Sequence, residues 1–175
     1  MWNAFFDLAL QWWNRPKINI EAGEISETED GIIRVVVKNE GKTSAKNCRG
    51  KISIECSADD LREDFFTVIK PRRFRPVKEI NLRWTNTYSG SITINAHDNE
   101  PLTVFQKIPK KSDLVIAVHG DTHPFGDYIC VLKYLDGKDY RGKINITAAN
   151  AKGKEINFRI KMEDDMIKTE LFNEW

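Results

Sequence analysis

Residues 156–162, Ile-Asn-Phe-Arg-Ile-Lys-Met, set an apolar side chain at every second position and a polar one at each position between. Successive side chains of an extended strand point to opposite faces, so this stretch offers one face to a core and the other to water. That is the pattern of a half-buried strand in an antiparallel sheet. Residues 143–148 repeat it, with Ile144, Ile146 and Ala148 facing inward, and the polar segment 149–155, with Gly153, is expected to join the two as a hairpin. Further apolar or alternating runs predict strands over 17–21, 32–39, 47–56, 65–69, 77–84, 91–96, 102–108, 114–119 and 127–135. Asp136-Gly137 is a tight-turn pair, and Gly31, Gly41, Gly90, Gly120 and Gly126 punctuate the remainder. Strands at this spacing with no helical segment between them argue for an antiparallel β-sandwich, not a βαβ fold. The sandwich is expected over residues 17–163. Residues 164–175 form a short C-terminal extension, read as a helix: Asp164 or Asp165 would cap it, and Ile167, Leu171 and Trp175 share a face at four-residue spacing.

Composition narrows the class. A chain of 175 residues with 41% hydrophobic and 30% charged side chains has enough apolar matter for one buried core and is not disordered as a whole. A net charge of +1 supplies no global field to recruit nucleic acid or anionic lipid, so an electrostatic partner must be read by a local patch. Cys48, Cys56 and Cys130 are odd in number and show no CxxC spacing, which argues for buried free thiols over a disulfide framework. No apolar run reaches the ~20 residues a bilayer span needs.

The N-terminus stands apart. Within residues 1–13 only Asn3, Asp7 and Gln11 are polar, and with Asn14 they form one narrow stripe on a helix expected over residues 1–14. The rest of that helix is a wide apolar face carrying Trp2, Phe5, Phe6, Trp12 and Trp13. Burying one large aromatic side chain is worth roughly 2–3 kcal/mol, so five of them outweigh helix nucleation once a receiving surface exists. Three receivers compete: the protein's own sandwich or a second copy, a membrane interface with Arg15 and Lys17 at headgroup level, or a groove in another protein. The segment makes a poor signal peptide, because it lacks a basic start, carries Asp7 mid-way and ends in Trp-Trp. For a chain that begins at Met1 the expected location is therefore the cytoplasm, at a membrane face where that is the receiver. An apolar segment upstream of Met1 would instead place the sandwich at a cell surface.

Two further clusters carry chemistry. Residues 70–78, Lys-Pro-Arg-Arg-Phe-Arg-Pro-Val-Lys, gather cations around one aromatic. Arg72, Arg73 and Arg75 suit bidentate contact with phosphate or carboxylate, and Phe74 suits stacking on a base. The plainer reading is a solvated loop whose arginines meet Asp59, Asp60, Glu63 and Asp64. His119, Asp121 and His123 have metal-ligand character. A fully extended chain would hold the two histidines about 13 Å apart, too far to share an ion, whereas a turn at Gly120 would gather all three around a zinc with an open water position. A polar turn between two strands explains the same residues. There is no nucleophile elbow and no glycine-rich phosphate loop.

Residues 35–48, Val-Val-Val-Lys-Asn-Glu-Gly-Lys-Thr-Ser-Ala-Lys-Asn-Cys, followed by an alternating strand, resemble the start of CARDB-type immunoglobulin-like domains. Those prokaryotic sandwiches carry a strand, then Asn-x-Gly, then a small residue leading into the next strand. Gly126-x-Tyr128 is similar to the start of a late strand in that family. The resemblance implies an immunoglobulin-like antiparallel sandwich; the acidic, Asn-rich ending common in that family is missing here, so no metal or ligand residue is carried over from it. Asn39 and Gly41 are expected to take turn conformations closed to β-branched residues, with Ala45 fitting beneath the connection. The expected function is non-enzymatic and cofactor-free: an interaction or assembly module whose helix tethers it to a protein partner, a second copy or a membrane face, not to nucleic acid. The competing readings are a metal-dependent hydrolase using His119, Asp121 and His123, and a binder of anionic ligand or nucleic acid through Arg72, Arg73 and Arg75.

Overall fold

Thirteen strands form among the described residues of the computed structural model, which are 10, 12–26, 28–29, 31–55, 79–87, 90–108, 111–117, 131–133, 139–163 and 166–174. In chain order they are β1 (Ile18–Ile20), β2 (Gly23–Ser26), β3 (Ile32–Asn39), β4 (Ala45–Glu55), β5 (Glu79–Asn81), β6 (Arg83–Trp84), β7 (Ile92–Ile94), β8 (Asn99–Ile108), β9 (Lys111–Ala117), β10 (Val131–Lys133), β11 (Tyr140–Ala148), β12 (Ala151–Glu163) and β13 (Met166–Phe172). Every pairing is antiparallel. One sheet runs β1-β3-β8-β9-β10, with β6 also on β8. The other runs β2-β13-β12-β11-β4-β5, with β7 on the start of β4.

The alternation read from the sequence is what faces the sheets toward each other. Ile33, Val35 and Val37 of β3 are wholly buried, as are Ile144 and Ile146 of β11 and Ile156, Phe158 and Ile160 of β12. Phe105 of β8 and Phe158 of β12 meet between the sheets, ring centroids 5.5 Å apart at 66°, the edge-to-face arrangement aromatic pairs favour. The fully buried Trp84 satisfies its indole by donating from Nε1 to the Cys48 carbonyl at 3.1 Å, joining β6 to β4 across the gap. The result is a two-sheet β-sandwich.

The chain crosses between the sheets along both sides of the sandwich. After β1 it steps over to β2, and Gly23 makes the step at φ +155°, which L side chains rarely adopt. Between β5 and β6 it steps back at Leu82, whose N–H donates to the Gly50 carbonyl at 2.7 Å.

Several expectations need correcting. Met166–Phe172 is a strand, not a helix, seated between β2 and β12. The four-residue spacing of Ile167 and Leu171 suits both periods, and Thr169 between them is buried too, so the inward face is 167, 169, 171. The hairpin loop expected over 149–155 shrinks to Ala149 and Asn150, since β12 begins at Ala151. Neither Asn39 nor Gly41 has a positive φ; the left-handed residue of this region is Asn47, at φ 52°, where the β4–β7 register shifts. No helix element occurs among the described residues. At the N-terminus they include one helical turn, closed by the Asn14 N–H on the Leu10 carbonyl at 3.0 Å. The strand expected over 65–69 and the Asp136-Gly137 turn lie outside the described residues.

Candidate attachment site

The end of β3 holds the root of the N-terminal segment, and Asn39 is the centre of the hold. Its side chain is 1% exposed. The two hydrogens of the amide nitrogen are shared among the carbonyls of Thr43 (2.8 Å), Ile94 (3.1 Å) and Asn95 (3.0 Å), and the amide oxygen accepts from the backbone N–H of Lys17 and of Gly41, both at 3.1 Å. An amide is the one uncharged side chain here that both donates twice and accepts twice, so a carboxylate or a leucine of similar size cannot replace it. Its backbone adds two more bonds to the turn before β8: its N–H to the Asp98 carbonyl and its carbonyl from the His97 N–H, each 2.9 Å. Asn39 therefore ties together the β3–β4 turn, the β7–β8 turn and the start of β1.

Gly41 completes the hold by being small. A Cβ there would lie 2.4 Å from the Arg15 carbonyl oxygen, 2.5 Å from the Lys17 nitrogen and 2.6 Å from the Pro16 Cα. The chain from Arg15 to Lys17 lies directly against this glycine, with Pro16 buried beneath. Glu40 donates its N–H to the Lys17 carbonyl at 2.9 Å, and Thr43 Oγ1 donates to the Asn14 carbonyl at 2.7 Å. The last of these satisfies a carbonyl that the final turn of a helix leaves without a partner.

Just outside this root stand Trp12 and Trp13, 70% and 69% exposed, with Leu10 at 54%. Lys42 places its ammonium 5.3 Å from the centre of the Trp13 ring, within cation–π range. Arg15, Lys17, Lys42 and Lys46 are all exposed at this end, against Glu40 and Asp98. Glu40 is held as an anion: the hydrogen bond from Asn19 Nδ2 at 2.8 Å, followed by Lys17 at 3.4 Å and the charge of Lys38, lowers its pKa below the usual carboxylate range. The positive charges thus outnumber the negative beside two exposed indoles.

The sequence pointed to Trp12, Trp13, Arg15 and the Asn39-x-Gly41 motif, but not to their connection. Lys42 and Thr43 were missed, because their partners Trp13 and Asn14 lie 29 residues away in sequence. The other expected site residues, Trp2, Phe5, Phe6, Arg72, Arg73, Arg75, His119, Asp121 and His123, lie outside the described residues. Among the described residues no group of three or more His, Cys, Asp or Glu side chains could hold a metal ion, and no helix is long and apolar enough to cross a membrane. Cys48 is a buried free thiol whose pKa is raised by burial, as expected of a small core residue; Cys56 and Cys130 lie outside the described residues. Comparison of the chain with protein-family profiles, with curated proteins and with solved structures found no match.

Proposed function

We propose that the protein is a non-enzymatic attachment module, in which the sandwich is the rigid body and the aromatic N-terminal segment is the tether. The observation that carries this reading is the pairing of a fixed root with an uncovered tip. Asn39, Gly41 and Thr43 anchor residues 14–17, while Trp12 and Trp13 keep about 70% of their surface in water. Two indoles left this open forgo roughly 2–3 kcal/mol each, a cost that a binding surface recovers. An anchored root also loses less entropy on docking than a loose tail would. The helical turn at Leu10–Asn14 supports continuing the helix upstream, so that Trp2, Phe5 and Phe6 join the same surface. The Asn-x-Gly connection between β3 and β4 supports placing the sandwich in the immunoglobulin-like, CARDB-type class.

The test is a Trp12→Ala/Trp13→Ala double variant, compared with the wild-type chain by light-scattering mass, vesicle pelleting and thermal unfolding. The expected result is an unchanged unfolding midpoint, because neither side chain contributes to the core, together with a loss of self-association or of pelleting. A variant that matches the wild type in mass and in pelleting would refute the tether.

A further inference from the structure

We propose that the surface receiving Trp12 and Trp13 is a membrane interface carrying anionic lipid headgroups, an inference that rests on the tether reading above. Charge favours such a surface. Arg15, Lys17, Lys42 and Lys46 are exposed at this end against Glu40 and Asp98, and with Lys17 set against its partner Glu40 the remaining cations still outnumber the remaining acid. Cations beside an aromatic pair complement a layer of lipid phosphates and carboxylates. Lys42 stands over the Trp13 ring, so its charge is held at the level of the indole and not far below it.

The type of side chain favours it too. An indole has a large apolar body and one N–H that needs a partner, and the headgroup layer satisfies both at once. The exposed tip carries two such rings in succession, at the edge of the cationic zone.

A second copy of the chain fits this patch less well. A two-fold contact between copies would set this patch against itself, bringing Arg15 and Lys42 of one copy toward the same residues of the other. Like charges at that spacing repel, so the patch is better suited to an anionic surface than to its own image.

The experiment is co-sedimentation of the full chain with vesicles of phosphatidylcholine alone and of phosphatidylcholine with about 30 mol% phosphatidylserine, at low and high salt. The wild-type chain is expected to bind the anionic vesicles roughly tenfold or more tightly than the neutral ones, and to lose that preference as salt rises. Arg15→Gln/Lys42→Gln should abolish most of the preference for anionic vesicles. Trp12→Ala/Trp13→Ala should weaken binding to both vesicle types by about a hundredfold, since each indole contributes at least a factor of about ten. Binding that ignores phosphatidylserine, or that survives both variants, overturns the inference. Absent pelleting combined with a lower scattering mass for the tryptophan variant also overturns it, while keeping the tether and reassigning its receiver to a second copy. Absent pelleting with an unchanged mass removes both.

Discussion

Replacing Gly41 by alanine tests the hold on the N-terminal root with a single methyl group. Gly41 does not have a positive φ, so alanine meets no backbone penalty and any effect reports the close approach alone. The added Cβ would sit 2.4–2.6 Å from three backbone atoms of Arg15, Pro16 and Lys17, and no side-chain rotation relieves a clash with backbone. Two responses are open to the molecule. The root can stay in place under strain, which by analogy with overpacked cores costs about 1–3 kcal/mol. Alternatively it can lift away and lose three hydrogen bonds, Lys17 N–H to Asn39 Oδ1, Glu40 N–H to the Lys17 carbonyl, and Thr43 Oγ1 to the Asn14 carbonyl. At about 1 kcal/mol each, that costs about 3 kcal/mol. The cheaper response sets the loss, and the reduced entropy of the unfolded chain returns about 0.4–1 kcal/mol. The net expectation is a destabilisation of about 1–2 kcal/mol, measured by urea unfolding. Hydrogen exchange at the Lys17 and Glu40 amides supplies the local reading, and both should exchange faster in the variant while amides of β12 follow only the global change. An unchanged or raised stability with both amides still protected would refute the close-packed root.

The packing of the core and the chemistry of its buried groups set further outcomes. Gly142→Ala should cost about 3 kcal/mol or more and lower soluble yield, because its Cβ would fall 2.0 Å from the Ser53 carbonyl oxygen and 2.7 Å from Phe158 Cζ; a small shift in the urea midpoint would contradict the β4–β11 register. Thr169 is wholly buried with its Oγ1 unpartnered, so Thr169→Val should stabilise by about 1 kcal/mol, and a loss of stability would show that the hydroxyl is satisfied. Cys48 should resist a thiol reagent until the protein unfolds. Because burial raises its folded pKa, its contribution to stability is complete below the pKa of the unfolded thiol and falls as pH rises from there toward the folded value; a Cys48→Ala variant should therefore lose less stability across that alkaline range. On the non-enzymatic reading the purified protein carries no stoichiometric zinc by elemental analysis, whereas zinc that disappears in His119→Ala would establish a metal centre at His119, Asp121 and His123.

Strands that carry either a dense apolar run or an uninterrupted alternation were legible in the sequence. Ile32–Asn39 is bounded as its pattern predicts, and Ile156, Phe158 and Ile160 face the core as their spacing requires. What failed did so where the pattern is ambiguous or interrupted. Thr169 stands at an inward position of β13, and a polar residue there disguises the two-residue period that Ile167 and Leu171 would otherwise reveal. In β2 the single apolar residue is Ile25, too little for any periodicity. Pro101 lies inside β8, and a proline reads as a strand break, so the strand appeared to begin three residues late.

The attachment site was legible in its parts. Trp12 and Trp13 announced an apolar surface, and Asn39-x-Gly41 announced a special connection. The reason for the motif was not legible, because Asn39 bonds to carbonyls at Ile94 and Asn95, more than fifty residues away, and Gly41 is shaped by a chain that arrives from Arg15 to Lys17. Such long-range partners leave no trace in local composition. A local turn explains an Asn-x-Gly equally well, and only the backbone angles separate the two.

The central claim is that the indoles of Trp12 and Trp13 are open in the free protein and covered when it attaches. Its most direct test is the indole N–H signal of each tryptophan by NMR, assigned through single Trp→Phe variants, before and after addition of phosphatidylserine-containing vesicles. The account predicts fast solvent exchange for Trp12 and Trp13 in the free protein, slow exchange for Trp84, and on attachment perturbation of Trp12 and Trp13 but not of Trp84. Indoles of Trp12 and Trp13 that are already protected in the monomeric free protein would contradict it.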